Sequence, residues 1–270
     1  MPKVSTMRGG RAASYEYFRT PFIALAHRGG ITEDAPAAVE NSLRGFRAAW
    51  EFGFTHLETD VHVTSDGMLV AFHDEVLDRV TDAAGRLADL PWAEVRRARI
   101  GGAEPIPTLD ELLDGLPRAR FNIDLKAPGA IEPLVRTLDR HAAHARVCVG
   151  SFRTASLTRF RALTAGRVAT SASPLEAGVF GLVPGVRALW PLGAQAFQVP
   201  VHEPRTGARL VTRRMIDAAH RRGAVVHVWT INDRPEMERL IDLGVDGLVS
   251  DDLATLKAVL VERDLWEGHS

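Results

Sequence analysis

The segment His56–Asp74, H-L-E-T-D-V-H-V-T-S-D-G-M-L-V-A-F-H-D, concentrates side chains that can hold a cation and move protons. His56, Glu58, Asp60 and His62 alternate with Leu57, Thr59, Val61 and Val63. In a strand, that alternation puts two carboxylates and two imidazoles on one face. Ser65-Asp66-Gly67 is a tight-turn signal, after which Met68–Phe72 returns as a second strand ending on His73-Asp74. Two carboxylates side by side in a buried strand are costly unless their charge is compensated, and a divalent cation is the simplest compensation. An isolated hairpin with a solvated polar face would read the same way, so the distinction must come from the rest of the chain.

Further reactive residues sit at the ends of other apolar runs. Phe22–Ala26 leads into His27-Arg28-Gly29-Gly30; Phe121–Lys126 puts Asn122, Asp124 and Lys126 on one face; Ala224–Trp229 ends on an indole. Only Lys3, Lys126 and Lys257 are lysine among 33 basic residues, which gives weight to one placed within a strand.

The elements that must position these groups alternate between strand and helix. Strands are expected at Phe22–Ala26, from His56, at Phe121–Lys126, Val147–Gly150, weakly at Arg167–Ser171, and at Ala196–Val201, Ala224–Trp229 and Gly247–Ser250. Helices are expected from Leu43 to Trp50, after Thr108 (an N-cap with Glu111 three residues on), and over Ile131–His141, Ala155–Leu163, Arg213–Arg222 and Pro235–Leu243. A last helix runs to about Glu262, and the Gly/Pro-rich segment to Leu192 resists assignment. Eight strands separated mostly by helices in 270 residues predict an α/β fold, a closed (β/α)₈ TIM barrel, rather than an open doubly wound sheet. Residues 1–21 read as an N-terminal extension and 22–263 as the barrel. Residues 75–107, rich in Gly and Pro, read as a small insertion after the second strand. In such a barrel active sites lie at the C-terminal strand ends, where His27, Arg28, Glu58, Asp60, Asp124, Lys126, Trp229 and Asp251 all map.

Composition narrows the function. Hydrophobic content of 46% and charged content of 25% are ordinary for a soluble globular chain. A net charge of −1 leaves no basic excess for a nucleic-acid surface. The single cysteine, Cys148, allows no intrachain disulfide. No run approaches the roughly 20 apolar residues of a membrane span, and residues 1–20 lack an apolar core of signal-peptide length. A cytoplasmic location is the expectation; oligomeric state is not legible.

A-H-R-G-G at 26–30, E-N-S at 40–42, E-T-D at 58–60, T-S-D-G at 64–67, H-D at 73–74 and W-T-I-N at 229–232 resemble the glycerophosphodiester phosphodiesterase family, in matching order from about Phe22 to Leu260. The resemblance implies a (β/α)₈ barrel, a divalent cation (Mg²⁺ or Ca²⁺) and hydrolysis of glycerophosphodiesters to glycerol 3-phosphate and an alcohol. It further implies His27 and His73 as the acid/base pair, Glu58 and Asp60 as metal ligands, and Arg28 as a phosphate clamp. Asn41 belongs to the E-N-S element without a fixed role. The family usually carries Glu where this chain has Asp124, the third metal ligand, one methylene shorter.

The chemistry agrees with the resemblance. A phosphodiester repels nucleophiles and gathers charge on its oxygens during transfer. Carboxylate-held cations, the Arg28 fork and the Lys126 ammonium would answer that charge, and two histidines would supply base and acid. The first nucleophile is either water or the substrate's own glycerol hydroxyl, the latter giving a cyclic phosphate that water opens. Trp229 reads equally as barrel core or as an apolar wall for the alcohol. Asp246 and Asp251 read as supporting or loop-capping residues. Two rival functions are a related barrel phospholipase (sphingomyelinase D-like or phosphoinositide phospholipase C-like) and a glycerophosphodiester-binding protein without activity.

Overall fold

The computed structural model describes residues 11–182, 192–204 and 206–269. In chain order the elements are β1 (Ile23–Ile31), α1 (Leu43–Glu51), β2 (His56–Val63), β3 (Leu69–Ala71), α2 (Trp92–Val95), β4 (Arg99–Ile100), β5 (Glu104–Pro105), α3 (Leu109–Gly115), β6 (Arg120–Leu125) and α4 (Ile131–Arg140). They continue with β7 (Val147–Gly150), α5 (Thr154–Leu163), β8 (Ala169–Thr170), α6 (Pro174–Leu182), β9 (Ala196–Val199), α7 (Arg213–Arg221), β10 (Val225–Val228), α8 (Arg234–Leu243), β11 (Gly247–Asp252) and α9 (Leu253–Glu262).

The strands β8-β7-β6-β2-β1-β11-β10-β9 lie side by side in that order, each pair parallel. A bridge between Ser171 and Ala196 brings the two ends of this path together, so eight parallel strands make a nearly closed barrel. The (β/α)₈ expectation holds. Its weakest strand, expected over Arg167–Ser171, is only two residues long, and backbone bonds from Gln195 to Thr170 and from Ala172 to Ala196 complete the seam.

Alternation in the sequence becomes a division between inside and outside. Leu57 and Val61 of β2 join Phe121, Ile123 and Leu125 of β6 in the apolar layer under the helices, while Glu58, Asp60 and Asp124 are buried on the other face. Lower in the barrel, Ile23, Leu25, Cys148, Ala169, Ala196, Val225 and Val249 form a second cluster. Ala12, Tyr17 and Phe18 of the N-terminal segment belong to it, and Ala12 N–H donates to the Gly223 carbonyl just ahead of β10. The end of the barrel opposite the site is thereby sealed.

Helix starts follow the capping chemistry. Ser42, Thr212, Asp233 and Asp252 accept from backbone N–H groups at the starts of α1, α7, α8 and α9. Thr108 and Glu111 form the expected capping box on α3. The segment between Ser171 and Leu192 contains α6, whose entry is fixed by Ser173 N–H donating to buried Glu176; residues 183–191 lie outside the described residues.

The hairpin expected at 56–74 is present: β3 runs antiparallel to β2, with Gly67 at φ +88° in the turn. Beyond it, residues 75–107 carry α2, β4 and β5 and pack Leu77, Leu87, Val95, Ala98, Ile100 and Ile106 against Val70 and Phe72. This insertion has a small core of its own, rooted on the strand that delivers His73. One difference concerns β1, expected to stop at Ala26. It continues to Ile31 because, past a register shift after Ala26, Ile31 pairs with Asp252.

Candidate active site

Within the second half of β1, the stretch after His27 is wound through positive φ: Arg28 +52°, Gly29 +93° and Gly30 +68°. Side chains at the two glycines would not fit. A Cβ on Gly29 would lie 3.0 Å from the Gly45 backbone of α1, and one on Gly30 would lie 2.5 Å from the Leu253 side chain. Arg28 carries a left-handed conformation that costs free energy in a non-glycine residue, and such strain gathers at functional sites. The turn brings Arg28 N–H to 3.1 Å from Glu58 Oε2, while the guanidinium meets Glu40 (3.3 Å) and Asp60 (3.5 Å). Asn41, also left-handed, donates through Nδ2 to Asp60 Oδ2 (3.3 Å) and accepts from Thr59 Oγ1 (2.8 Å).

Strand register sets the carboxylates. His27 is level with Glu58, and Asp60 is level with Asp124 on the neighbouring strand. The ammonium of Lys126 lies 2.9 Å from Asp60 and 2.8 Å from Asp124. Burial works to lower the Lys126 pKa, but the two carboxylates raise it well above its ordinary value, so the lysine is a fixed cation. Burial raises Asp124, opposed by Lys126. Glu58 is pushed up to about 8, first by burial and then by the charge of Asp60.

Each histidine is oriented by a carboxylate at Nδ1. His27 Nδ1 donates to Asp251 (2.6 Å), itself held by Asn232 Nδ2 (2.9 Å), and His27 Nε2 points toward Glu58, 3.9 Å away. His73 Nδ1 donates to Asp74 (2.5 Å), and its carbonyl accepts from His62 Nε2 (3.1 Å). In both rings Nε2 is the nitrogen left for chemistry. Burial alone would lower the pKa of His27; the Asp251 hydrogen bond and the Glu58 charge outweigh it and raise the pKa above its ordinary value. Burial also tends to raise Asp251 and Asp74, but hydrogen bonds from His27 and Asn232, and from Arg79 and His73, hold both below the usual carboxylate range.

The donors expected from the sequence to hold a cation are hard carboxylate oxygens on rigid strands, and burial, then the neighbouring Asp60 charge, makes ionised Glu58 costly without a compensating cation. That chemistry suits a divalent cation. Among the described residues, however, no three His, Cys, Asp or Glu side chains are grouped as a ready-made cage, and Lys126 is what neutralises Asp60 and Asp124.

All eight residues singled out in the sequence meet at this end of the barrel. Trp229 lies at the margin, edge-on to Phe152 at 6.0 Å, and Phe152 in turn lies 5.6 Å from the Lys126 ammonium. The sequence reading passed over Phe152, which is 65% exposed. It also undervalued Asp251, Asp74, Glu40 and Arg79. For both Asp74 and Glu40 a signal was present: Asp74 follows His73 in H-D, and Glu40 opens E-N-S ahead of Asn41.

This geometry defines a (β/α)₈ barrel whose strand ends gather two histidines, an acidic cluster and two cationic side chains. The sequence matches the glycerophosphoryl diester phosphodiesterase family over residues 27–255, and the chain belongs to that family. It is 36% identical, over 97% of its length and 100% of the relative's, to a probable glycerophosphodiester phosphodiesterase 2 of Mycobacterium tuberculosis. It is 29% identical, over 87% of its length and 96% of the relative's, to a glycerophosphodiester phosphodiesterase of Caldanaerobacter subterraneus. Among solved structures, a putative glycerophosphoryl diester phosphodiesterase of Silicibacter pomeroyi superimposes with a TM-score of 0.77 at 22% identity, covering 93% of this chain and 99% of that one. An Oleispira antarctica phosphodiesterase in complex with its product sn-glycerol-3-phosphate gives 0.73 at 23% identity, covering 88% and 96%. No helix among the described residues is long and apolar enough to cross a membrane.

Proposed function

We propose that the chain hydrolyses glycerophosphodiesters to glycerol 3-phosphate and an alcohol, with His27 and His73 as the proton-transfer pair and a divalent cation, Mg²⁺ or Ca²⁺, on Glu58, Asp60 and Asp124. The observation that carries this reading is the matched pair of histidines, each with a carboxylate on Nδ1 and Nε2 free, beside the Arg28, Lys126 and carboxylate cluster. The curated relatives bear the corresponding name, and the Oleispira neighbour holds the corresponding product.

The guanidinium of Arg28, held beside Glu40 and Asp60 at the barrel mouth, would grip the phosphoryl oxygens. Lys126 would add a point charge from the end of β6, on the far side of β2 from β1. A cation bound by the three carboxylates would neutralise charge building on the transferring phosphoryl group. His27, whose imidazolium is favoured by Asp251 and Glu58, would give its Nε2 proton to the departing alkoxide as the P–O bond breaks. His73 would take the proton from the nucleophile as the new P–O bond forms. Phe152 and Trp229 would offer the alcohol an apolar wall.

Phosphorus NMR of the products tests the reading. Glycerophosphocholine and glycerophosphoethanolamine should both give glycerol 3-phosphate. Release of the head group as its own phosphate, or no turnover of either, would refute it.

A further inference from the structure

One arginine outside the proposed catalytic and metal-binding set touches both halves of the site. Arg79 belongs to the inserted segment. Its Nε donates to Asp74 Oδ2, at 2.5 Å, while Asp74 Oδ1 holds His73 Nδ1. Its two terminal nitrogens clasp Glu40, Nη2 to Oε1 at 2.6 Å and Nη1 to Oε2 at 3.2 Å. The same Glu40 Oε1 accepts from Arg28 Nη1 at 3.3 Å. A continuous chain of charge-assisted bonds therefore runs His73, Asp74, Arg79, Glu40, Arg28. It joins the loop after β3 to the loop after β1 through a residue that touches neither proton-transfer nitrogen.

We propose that Arg79 is a positioning residue that sets His73 and Arg28 together, so that the insertion fixes the spacing between proton transfer and phosphate grip. This inference rests on the proposed function of the site. Three features support it. Guanidinium is the only side chain whose rigid fork can serve two carboxylates in three directions at once; a lysine in its place would keep one pairing. Without Arg79, Glu40 and Asp74 would face each other with fewer cations between them, and Glu40 would draw more strongly on Arg28. The Arg79 side chain is 47% exposed, so its ion pairs add little to folding stability, and a large effect of its loss would have to come from geometry.

Steady-state kinetics on glycerophosphocholine with Arg79→Gln, Arg79→Lys, Glu40→Gln and the double variant Arg79→Gln/Glu40→Gln tests this, beside thermal denaturation. Arg86→Gln, another insertion arginine paired with Glu75, is the control expected to keep wild-type kinetics. Arg79→Gln should lower kcat/KM on the order of 10–100-fold, the usual loss when an orienting partner is removed. The loss should divide between a raised KM, from Arg28, and a lowered kcat, from His73. In the Glu40→Gln background the KM effect of Arg79→Gln should vanish while the kcat effect persists. Arg79→Lys should recover part of kcat and leave KM raised, and it carries the test if Arg79→Gln does not fold. Wild-type kinetics in Arg79→Gln, wild-type kinetics in Arg79→Lys, or KM effects that multiply fully in the double variant would each overturn the inference. Wild-type protein that turns over no glycerophosphodiester refutes the proposed function instead, and this inference with it.

Discussion

His27 Nδ1 donates to Asp251 Oδ1 across 2.6 Å, tying the middle of β1 to the end of β11. The two residues are 224 positions apart and become neighbours only because the barrel brings its last parallel strand beside its first. The bond selects the tautomer with Nε2 facing Glu58 and favours the imidazolium.

Asp251→Asn should therefore move the alkaline limb of the kcat/KM profile to lower pH. A raised histidine pKa contributes stability that is fully present below the ordinary value of 6.5 and lost as pH rises through the folded value. The difference in Tm between wild type and Asp251→Asn should accordingly be greatest where Asp251 is ionised and His27 protonated, and shrink as pH rises through the raised histidine value or falls through the depressed Asp251 value. Superimposable pH profiles for the two proteins would show that Asp251 does not tune His27.

How much of this was readable beforehand differs from residue to residue. Glu58 and Asp60 could be paired from spacing alone, because period two in a strand leaves no alternative face. The barrel followed from eight apolar runs between helical stretches. The contacts that decide the electrostatics did not follow. Lys126 reaches Asp60 as well as Asp124 because Asp60 and Asp124 pair across β2 and β6, and strand register is a three-dimensional fact. Asp251 could be placed at the barrel mouth as a supporting or loop-capping residue, but its bond to His27 was hidden for the same reason. Arg79 was hidden in a segment whose short elements carry weak periodicity and whose core is shared with β3. The N-terminal segment read as an extension because its apolar residues are few, yet Tyr17 and Phe18 are wholly buried in the barrel base.

Glu58 gives a test of cation binding that needs no turnover. With its pKa raised from 4.5 to about 8, it binds a proton in the folded state that the unfolded chain has already released between those values. Stability of the chelated protein should fall as pH rises from about 4.5 to 8. A cation at Glu58 should drive that proton off, so calorimetric titration near pH 7 in buffers of different ionisation enthalpy should report proton release. Binding heats independent of the buffer would remove Glu58 from the ligand set.

Asp124 stands where the resemblance led us to expect a glutamate. A side chain shorter by ~1.5 Å on a rigid strand reaches a different point. If Asp124 is a direct ligand, Asp124→Asn should weaken metal affinity, with activity partly recovered at high cation concentration, and Asp124→Glu should bind as tightly or more so. Lys126 would retain Asp60 as a partner in both variants. Metal titration followed by calorimetry decides it: unchanged affinity in Asp124→Asn would defeat the assignment.

The most direct test of metal-assisted hydrolysis by two histidines is steady-state release of glycerol 3-phosphate by exhaustively chelated protein, before and after adding Mg²⁺ or Ca²⁺, with His27→Ala and His73→Ala alongside. The proposed function predicts no turnover after chelation and recovery with one of the two cations. It also predicts a loss on the order of 10²–10⁴-fold in kcat for each histidine variant at unchanged fold. Full turnover by metal-free protein, or wild-type kcat in either histidine variant, would contradict it.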